Sequence, residues 1–336
     1  MSKLDVNARV LVVLMGSIGD VTRGLGLVRP LRQALPTGKL AWLVEPMCEP
    51  LVRLMSGLDE VIVFNRPQGV RAVPALRGAL RRFAPTVTLD LQRHFKSGVF
   101  TWLSGAPRRI GFHRREAKEF NYLFQSETIE QVGEGVSKSE HYGRFLRALG
   151  ISASFDTTPL NDVPAAVPAL VTSPYIAVVL GSAWQTKDWP LAGYHRLLGQ
   201  ILRGGRFGVV LVGDKKRRPM GAELVGAFPG ASVVNLAGET TLSELVGVMR
   251  GAVAGVGPDS GPGHIAAAVG RRYVGIFGPT SPGRTAPFGS EALAVQSAVG
   301  CAPCYRKRCP GLDNLCMRLV TPEAVWEQLR AVLDSR

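Results

Sequence analysis

No apolar stretch in this 336-residue chain approaches the roughly 18 residues needed to cross a bilayer, so no transmembrane helix is expected. The short run Val10 to Met15, preceded by Lys3 and Arg9, leads straight into Gly16-Ser17-Ile18-Gly19-Asp20 without a small-x-small cleavage site. It reads as a first buried strand, not as a signal peptide, and places the chain in the cytoplasm with at most peripheral membrane contact. Asp-x-Asp, a pair that holds a divalent cation on a diphosphate, occurs nowhere. A Gly-x-Gly-x-x-Gly fingerprint is missing too. The first loop offers only Gly16-x-x-Gly19, which argues against a dinucleotide-dependent oxidoreductase. Acidic residues are scarce, 26 against 40 Lys and Arg, giving a net charge of +14. That excess points to a polyanionic partner: nucleic acid, an acidic membrane surface or a phosphorylated substrate. No nucleic-acid module and no basic-aromatic interleaving is present, so nucleic acid is not the expected partner, and salt-sensitive DNA binding without other activity would be the sign of that reading.

What is there suits a two-domain α/β enzyme. The length fits two domains, and 46% hydrophobic residues with 20% charged ones can fill a core in each. Short Val- and Leu-rich runs at Arg9–Met15, Leu40–Val44, Val61–Phe64 and Thr86–Asp90 read as strands buried on both faces. A helix is expected near Leu27–Ala34, after a turn over Gly16–Gly26, and a basic amphipathic helix over Val73–Phe83. Thr157–Pro174 holds four prolines and little periodicity, and marks the linker. A second βα series follows, with strands at Ile176–Leu180, Gly208–Val212, Ser232–Asn235, Ala252–Gly257 and Tyr273–Phe277. The chain closes on a helix over Pro322–Leu333, with Thr321 as its N-cap. This rhythm predicts two doubly wound domains, residues 1–160 and 161–336, with ligand sites in the loops that follow strands.

One such loop is Gly257-Pro258-Asp259-Ser260-Gly261-Pro262-Gly263-His264, leading into Ile265-Ala266-Ala267-Ala268. Asp259 or Ser260 can cap a helix, Pro262 suits its first turn, and free N–H groups at a helix start suit a diphosphate. An ordinary capped, glycine-rich helix is the plainer alternative. Between Arg66 and Lys118 twelve basic residues face only Asp90 and Glu116. That run is either a solvated basic face or a patch for a phosphorylated or membrane-embedded partner.

The loop from Asp259 to Ala268, with Phe277-Gly278-Pro279-Thr280-Ser281-Pro282, resembles the nucleotide-binding signature of the ADP-heptose:lipopolysaccharide heptosyltransferases, glycosyltransferase family 9. Gly16-Ser17-Ile18-Gly19-Asp20, Arg109-Ile110-Gly111-Phe112, Arg114-Arg115-Glu116 and Ala183-Trp184-Gln185-Thr186-Lys187-Asp188-Trp189-Pro190 resemble further family segments in the family's order. The resemblance implies a GT-B fold, two Rossmann-like domains with parallel sheets facing a central cleft. The N-terminal domain would bind the acceptor and the C-terminal one the nucleotide sugar. It implies inverting, metal-independent transfer from ADP-L-glycero-D-manno-heptose to the phosphorylated lipopolysaccharide inner core, at the cytoplasmic face of the inner membrane and its anionic surface. Asp20 corresponds to the catalytic aspartate, with helix capping as the alternative role. Lys187 and Thr186 are candidates for the diphosphate, with Asp259, Ser260, Gly261, Gly263 and His264 around the donor. Asp214, after strand Gly208–Val212, is placed to meet ribose hydroxyls or simply to make a turn. Arg114, Arg115 and His141 are acceptor candidates; His141 in Lys138-Ser139-Glu140-His141 either meets the acceptor or caps and packs. A GT-B transferase with another nucleotide sugar or acceptor is the nearest rival.

The pattern Cys301-x2-Cys304-x4-Cys309-x6-Cys316 gathers four of the five cysteines. It matches no standard zinc spacing closely and leaves two readings, a structural zinc or reduced packed thiols, with no part in catalysis. No cofactor is expected to be required.

Overall fold

A computed structural model of the protein describes residues 3–133, 135–166 and 174–335. The chain divides into two compact units, residues 1–159 and 160–336. The linker expected over Thr157–Pro174 lies partly outside the described residues, at 167–173.

In the first unit the elements run β1 (Arg9–Val13), α1 (Ile18–Gly24), α2 (Val28–Ala34), β2 (Lys39–Val44), α3 (Glu49–Arg53), β3 (Glu60–Val63), α4 (Val73–Phe83), β4 (Val87–Asp90), α5 (Phe95–Leu103), β5 (Arg108–Gly111), β6 (Glu127–Thr128) and α6 (Lys138–Ala148). The second unit has β7 (Tyr175–Val179), α7 (Leu191–Leu202), β8 (Gly208–Val212), α8 (Arg218–Gly226), β9 (Val233–Asn235), α9 (Leu242–Gly251), β10 (Ala254–Pro258), α10 (Gly261–Ala268), β11 (Tyr273–Phe277), α11 (Pro282–Thr285), β12 (Val295–Gln296), α12 (Leu315–Arg318) and α13 (Pro322–Asp334).

Both sheets are six-stranded, and every pairing is parallel. The orders are β3-β2-β1-β4-β5-β6 and, read from the other edge, β9-β8-β7-β10-β11-β12, the same Rossmann topology twice. A parallel sheet covered on both faces needs strands apolar on both faces. Accordingly Val10, Leu11, Val12 and Val13 in β1, and Ile176, Ala177 and Val178 in β7, are fully buried. In α4 the buried residues Leu76, Leu80 and Phe83 recur with helical spacing and close the core over β1–β3. Thr321 caps α13 as its sequence suggests, accepting from Ala324 N.

The strand order reverses between β1 and β4 in the first sheet and between β7 and β10 in the second. Loops leaving the carboxyl ends of adjacent strands part there and open a crevice, the usual ligand position in such sheets. The Gly16–Asp20 segment leaves β1 at one switch point. Ser182–Lys187 and Asp259–His264 leave β7 and β10 at the other.

One expectation needs correction. The stretch Gly16–Gly26 is not a turn before a helix: α1 already starts at Ile18, with Ser17 in the N-cap position. Asp20 therefore lies in the first turn of α1 and is not its cap.

Candidate active site

In the first unit the candidate residues are carried by β1, β4 and α6. Gln92, just past β4, accepts from Met15 N at 3.0 Å through Oε1 and donates Nε2 to Gly16 O at 3.4 Å, fixing the loop after β1. That loop delivers Asp20. Its Oδ1 receives Arg23 Nη2 at 2.7 Å, one helical turn on, and Lys138 Nζ at 2.6 Å from the first turn of α6. Ser17 Oγ donates to Oδ2 at 3.2 Å. Burial pushes the Asp20 pKa up, but the charges of Lys138 and Arg23, with their hydrogen bonds, outweigh it and hold the carboxyl well below the usual carboxylate range. Burial lowers the Lys138 pKa in turn, against the pull of Asp20. The result is a fixed, ionised carboxylate at the mouth of a switch point, with both cations on one of its oxygens.

His141 sits one turn further along α6 and is buried, its Nδ1 2.8 Å from Arg93 Nη2 and its ring beside Phe112. Arg93 stacks over the Phe112 ring at 4.2 Å. Packing is thus the role this geometry gives His141, and the N-cap of α6 is Ser137, not the histidine. Arg114 and Arg115 lie exposed on the turn after β5, and neither forms an ion pair among the described residues.

In the second unit the candidate residues are carried by the loops after β7, β10 and β11. Lys187, in the loop after β7, places Nζ 2.7 Å from Asp259 Oδ2 and 3.3 Å from the Asp259 carbonyl, and lies over the Trp184 ring at 4.6 Å. Asp259 is buried, and the same Oδ2 accepts from Thr280 Oγ1 at 2.7 Å and Thr285 Oγ1 at 3.0 Å. Burial raises the Asp259 pKa; Lys187 and His264, with the lysine and threonine hydrogen bonds, more than offset it and keep the acid ionised. Asp259 thus anchors the lysine. The N-cap of α10 is Ser260, whose hydroxyl donates to Pro258 O and not to the helix end. Gly261 and Pro262 open the helix, His264 is buried in its first turn, and a Cβ on Gly263 would stand 2.7 Å from the Tyr273 ring. Gly263 is therefore required for packing against that ring.

Two donor candidates have other engagements. Thr186 is buried and gives its only hydroxyl proton to Arg306 O at 2.9 Å, so it cannot donate to a diphosphate in this arrangement. Asp214 is an N-cap, accepting from Lys216 N at 3.0 Å through Oδ1, the turn role left open by the sequence.

Sequence reasoning missed Lys138, Arg23 and Arg217. Arg217 sits beyond β8, donates Nη2 to both oxygens of Asp188 at 2.8 and 2.7 Å, and presses on the Gly181 backbone after β7. The basic run Lys215-Lys216-Arg217-Arg218, directly after Gly213-Asp214, was the available signal.

The cysteine loop touches this region. Cys301, Cys304, Cys309 and Cys316 line one cavity of about 20 Å³ together with Thr186, Pro279 and Arg306. Cys316 is buried, which raises its thiol pKa, and the neighbouring Cys304, Cys301 and Cys309 raise it further. No disulfide joins the cysteines, and among the described residues no three Cys, His, Asp or Glu side chains are placed to share a metal ion.

Comparisons with known proteins bear on the family and the fold. The family model for glycosyltransferase family 9 (heptosyltransferase) matches residues 73–313. Lipopolysaccharide heptosyltransferase 1 of Pseudomonas aeruginosa is 26% identical, with 97% of this chain and 98% of that protein covered. The E. coli heptosyltransferase WaaC, solved with ADP, superposes with a TM-score of 0.76 at 21% identity over 96% of this chain and 99% of that one. A second WaaC structure holds ADP-2-deoxy-2-fluoro heptose, with a TM-score of 0.73. The iron-containing dodecameric glycosyltransferase TibC of enterotoxigenic E. coli superposes at 0.62 and 16% identity, covering 99% of this chain and 78% of that one. The likeness spans both units, which is the GT-B fold expected from the sequence.

Proposed function

The chain belongs to glycosyltransferase family 9, the heptosyltransferases, and on that premise we propose that it transfers heptose from ADP-L-glycero-D-manno-heptose to the phosphorylated inner core of lipopolysaccharide, with inversion and without a catalytic metal. The observation that carries this reading is Asp20, an ionised carboxylate fixed at a switch point by Lys138 and Arg23. An acceptor hydroxyl is a poor nucleophile until its proton leaves, and a carboxylate within hydrogen-bond reach takes that proton as the new bond forms. Attack opposite the departing ADP inverts the anomeric carbon. Lys187, held by Asp259, supplies positive charge to the diphosphate as it leaves, together with the N–H groups at the start of α10. The donor assignment is supported by the ADP and ADP-fluoroheptose bound to WaaC.

Arg114 and Arg115 are the acceptor cations, since guanidinium groups pair with phosphates in bidentate fashion. His141 acts on the acceptor side only indirectly, by holding Arg93. Among the described residues no helix is long and apolar enough to span a membrane. The enzyme works on the cytoplasmic face of the inner membrane, drawn to its anionic surface by the basic first unit.

Four thiolates are suitable donors for zinc or iron, and TibC contains iron. As placed, however, the four cysteines do not fit one ion. Any metal they take is structural, and no step of the transfer passes through it.

The test is mass detection of transfer from ADP-heptose to purified truncated core lipids, with UDP-sugars as competing donors. Heptose addition from the ADP-sugar alone is expected. Transfer from a UDP-sugar in its place would overturn the assignment.

A further inference from the structure

The outer face of α5 is unusual for a solvent-facing helix. Phe95 and Trp102, seven residues apart and so on one side of the helix, are 51% and 60% exposed, with half-buried Val99 between them. Phe120 and Leu123, on the turn that follows β5, are 67% and 68% exposed. The two segments are fastened together. Phe95 N donates to Glu119 Oε2 at 3.1 Å, and Asn121 Nδ2 donates to His94 O at 2.8 Å. The Phe95 and Phe124 rings meet edge to face at 5.2 Å. Beneath them the buried Asp90 carboxylate accepts from Ser97, Asn121 and Gln125, so the apolar groups are displayed on a fixed platform.

The charge around this platform is one-sided. From Arg93 to Gln125 there are seven Lys or Arg and only two acids. Glu119 is occupied by His94 and Phe95 N, and Glu116 accepts from Val132 N. Arg114, Arg115 and Lys118 form no ion pair among the described residues. Water leaves large apolar groups at a net cost, and lone cations beside them repel one another. One environment relieves both: an interface with anionic headgroups outside and hydrocarbon just below.

We propose that the outer face of α5 and the 118–123 turn form a docking surface for an anionic phospholipid bilayer, with Trp102, Phe95, Phe120 and Leu123 inserted at the headgroup boundary and Lys118 on the lipid phosphates. This rests on the reading of a membrane-borne acceptor given above and assigns the contact to particular residues. A second copy of the chain is the rival occupant. It would bring a second copy of the unpaired Arg114, Arg115 and Lys118 against the first, so the charge balance favours lipid.

The experiment is co-sedimentation of the full chain with vesicles of phosphatidylcholine alone and of phosphatidylcholine with phosphatidylglycerol. The wild type is expected to bind the mixed vesicles, less so as salt is raised, and to leave the neutral ones largely free. W102S/F120S/L123S should weaken that binding roughly tenfold or more, and Lys118→Glu should weaken it by a smaller factor. These side chains are exposed, and circular dichroism checks that the variants fold. Because no turnover is measured, failure of the proposed transfer reaction leaves this result unaffected. Equal binding of wild type and triple variant, or no binding by either, would overturn the proposal. So would a wild-type dimer that the triple variant abolishes.

Discussion

Lys138 Nζ lies 2.6 Å from Asp20 Oδ1, although the two residues stand 118 positions apart in the chain. In the proposed transfer this pair sets the behaviour of the base. A carboxylate held this acidic is weak, but the hydroxyl it serves becomes strongly acidic as the glycosidic bond forms, so the transfer remains downhill late in the reaction. Two adjacent cations then expel the proton quickly and reset the enzyme. The sign of the pH dependence follows. As the proposed base Asp20 must be ionised, and its lowered pKa should leave no acid limb on the wild-type kcat/KM above about pH 4. Lys138→Met removes the largest lowering influence while burial still raises the pKa, so an acid limb should appear at higher pH. Lys138→Arg should restore the wild-type profile. Superimposable profiles for wild type and Lys138→Met would show that the lysine does not govern the base.

Asp20→Asn should keep the fold and ADP binding while lowering kcat roughly 10²–10⁴-fold. The amide keeps the shape but cannot take a proton. Near-normal turnover by a folded Asp20→Asn enzyme is incompatible with the role assigned to it.

Lys187→Ala should weaken ADP binding and slow transfer, since one charge-assisted contact is worth about 1.5–3 kcal/mol. It also leaves Asp259 buried with two threonines and no facing lysine, so stability should fall at neutral pH. Asp259 has a lowered pKa in the folded state, so its contribution is present above the ordinary carboxylate pKa and lost as pH falls through the folded value. The gap in melting temperature between the two proteins should therefore narrow below about pH 4. A donor KM and kcat equal to wild type would place Lys187 outside the site.

Reversing Arg114 and Arg115 to Glu should raise the acceptor KM and leave slow hydrolysis of the donor nearly intact. Equal loss of both activities would show that these arginines do not serve the acceptor.

Transfer should persist in excess EDTA. Activity that disappears with chelation and returns only with Mg²⁺ or Mn²⁺ would refute metal independence. Elemental analysis of the same samples tells whether the cysteine cavity holds zinc or iron.

The strands were readable because parallel sheets demand apolar runs, and Gly208–Val212 and Tyr273–Phe277 fall where the composition put them. β5 was not readable as a strand, since Arg108 and Arg109 make up half of it; their side chains turn aside to Glu127 and to the carbonyls of Phe124 and Ala106. The early start of α1 was hidden by its glycines, which count against a helix by propensity. For Gly24 the reason is tertiary, since a Cβ there would stand 2.5 Å from Leu14 Cδ2; the same holds for Gly26, just past the helix, where a Cβ would stand 2.3 Å from Asp156 O. Asp259 stood out because it follows a strand, and Asp20 and Lys187 because their segments resemble those of the family. Their partners did not, because no local pattern links residue 20 to residue 138.

Gly263 has a bearing on how sequence variation in this enzyme is interpreted. Its missing side chain makes room for the Tyr273 ring, whose hydroxyl in turn holds Pro258 O at 3.0 Å. A larger residue at 263 would tilt α10 away from β11 and lose donor affinity without having touched the donor. A mutational scan scored on activity would rank Gly263 beside Lys187, and only a paired change that shrinks Tyr273 would tell the two apart. The freedom of this loop to drift over evolution is thus limited from below, by an aromatic ring in the sheet.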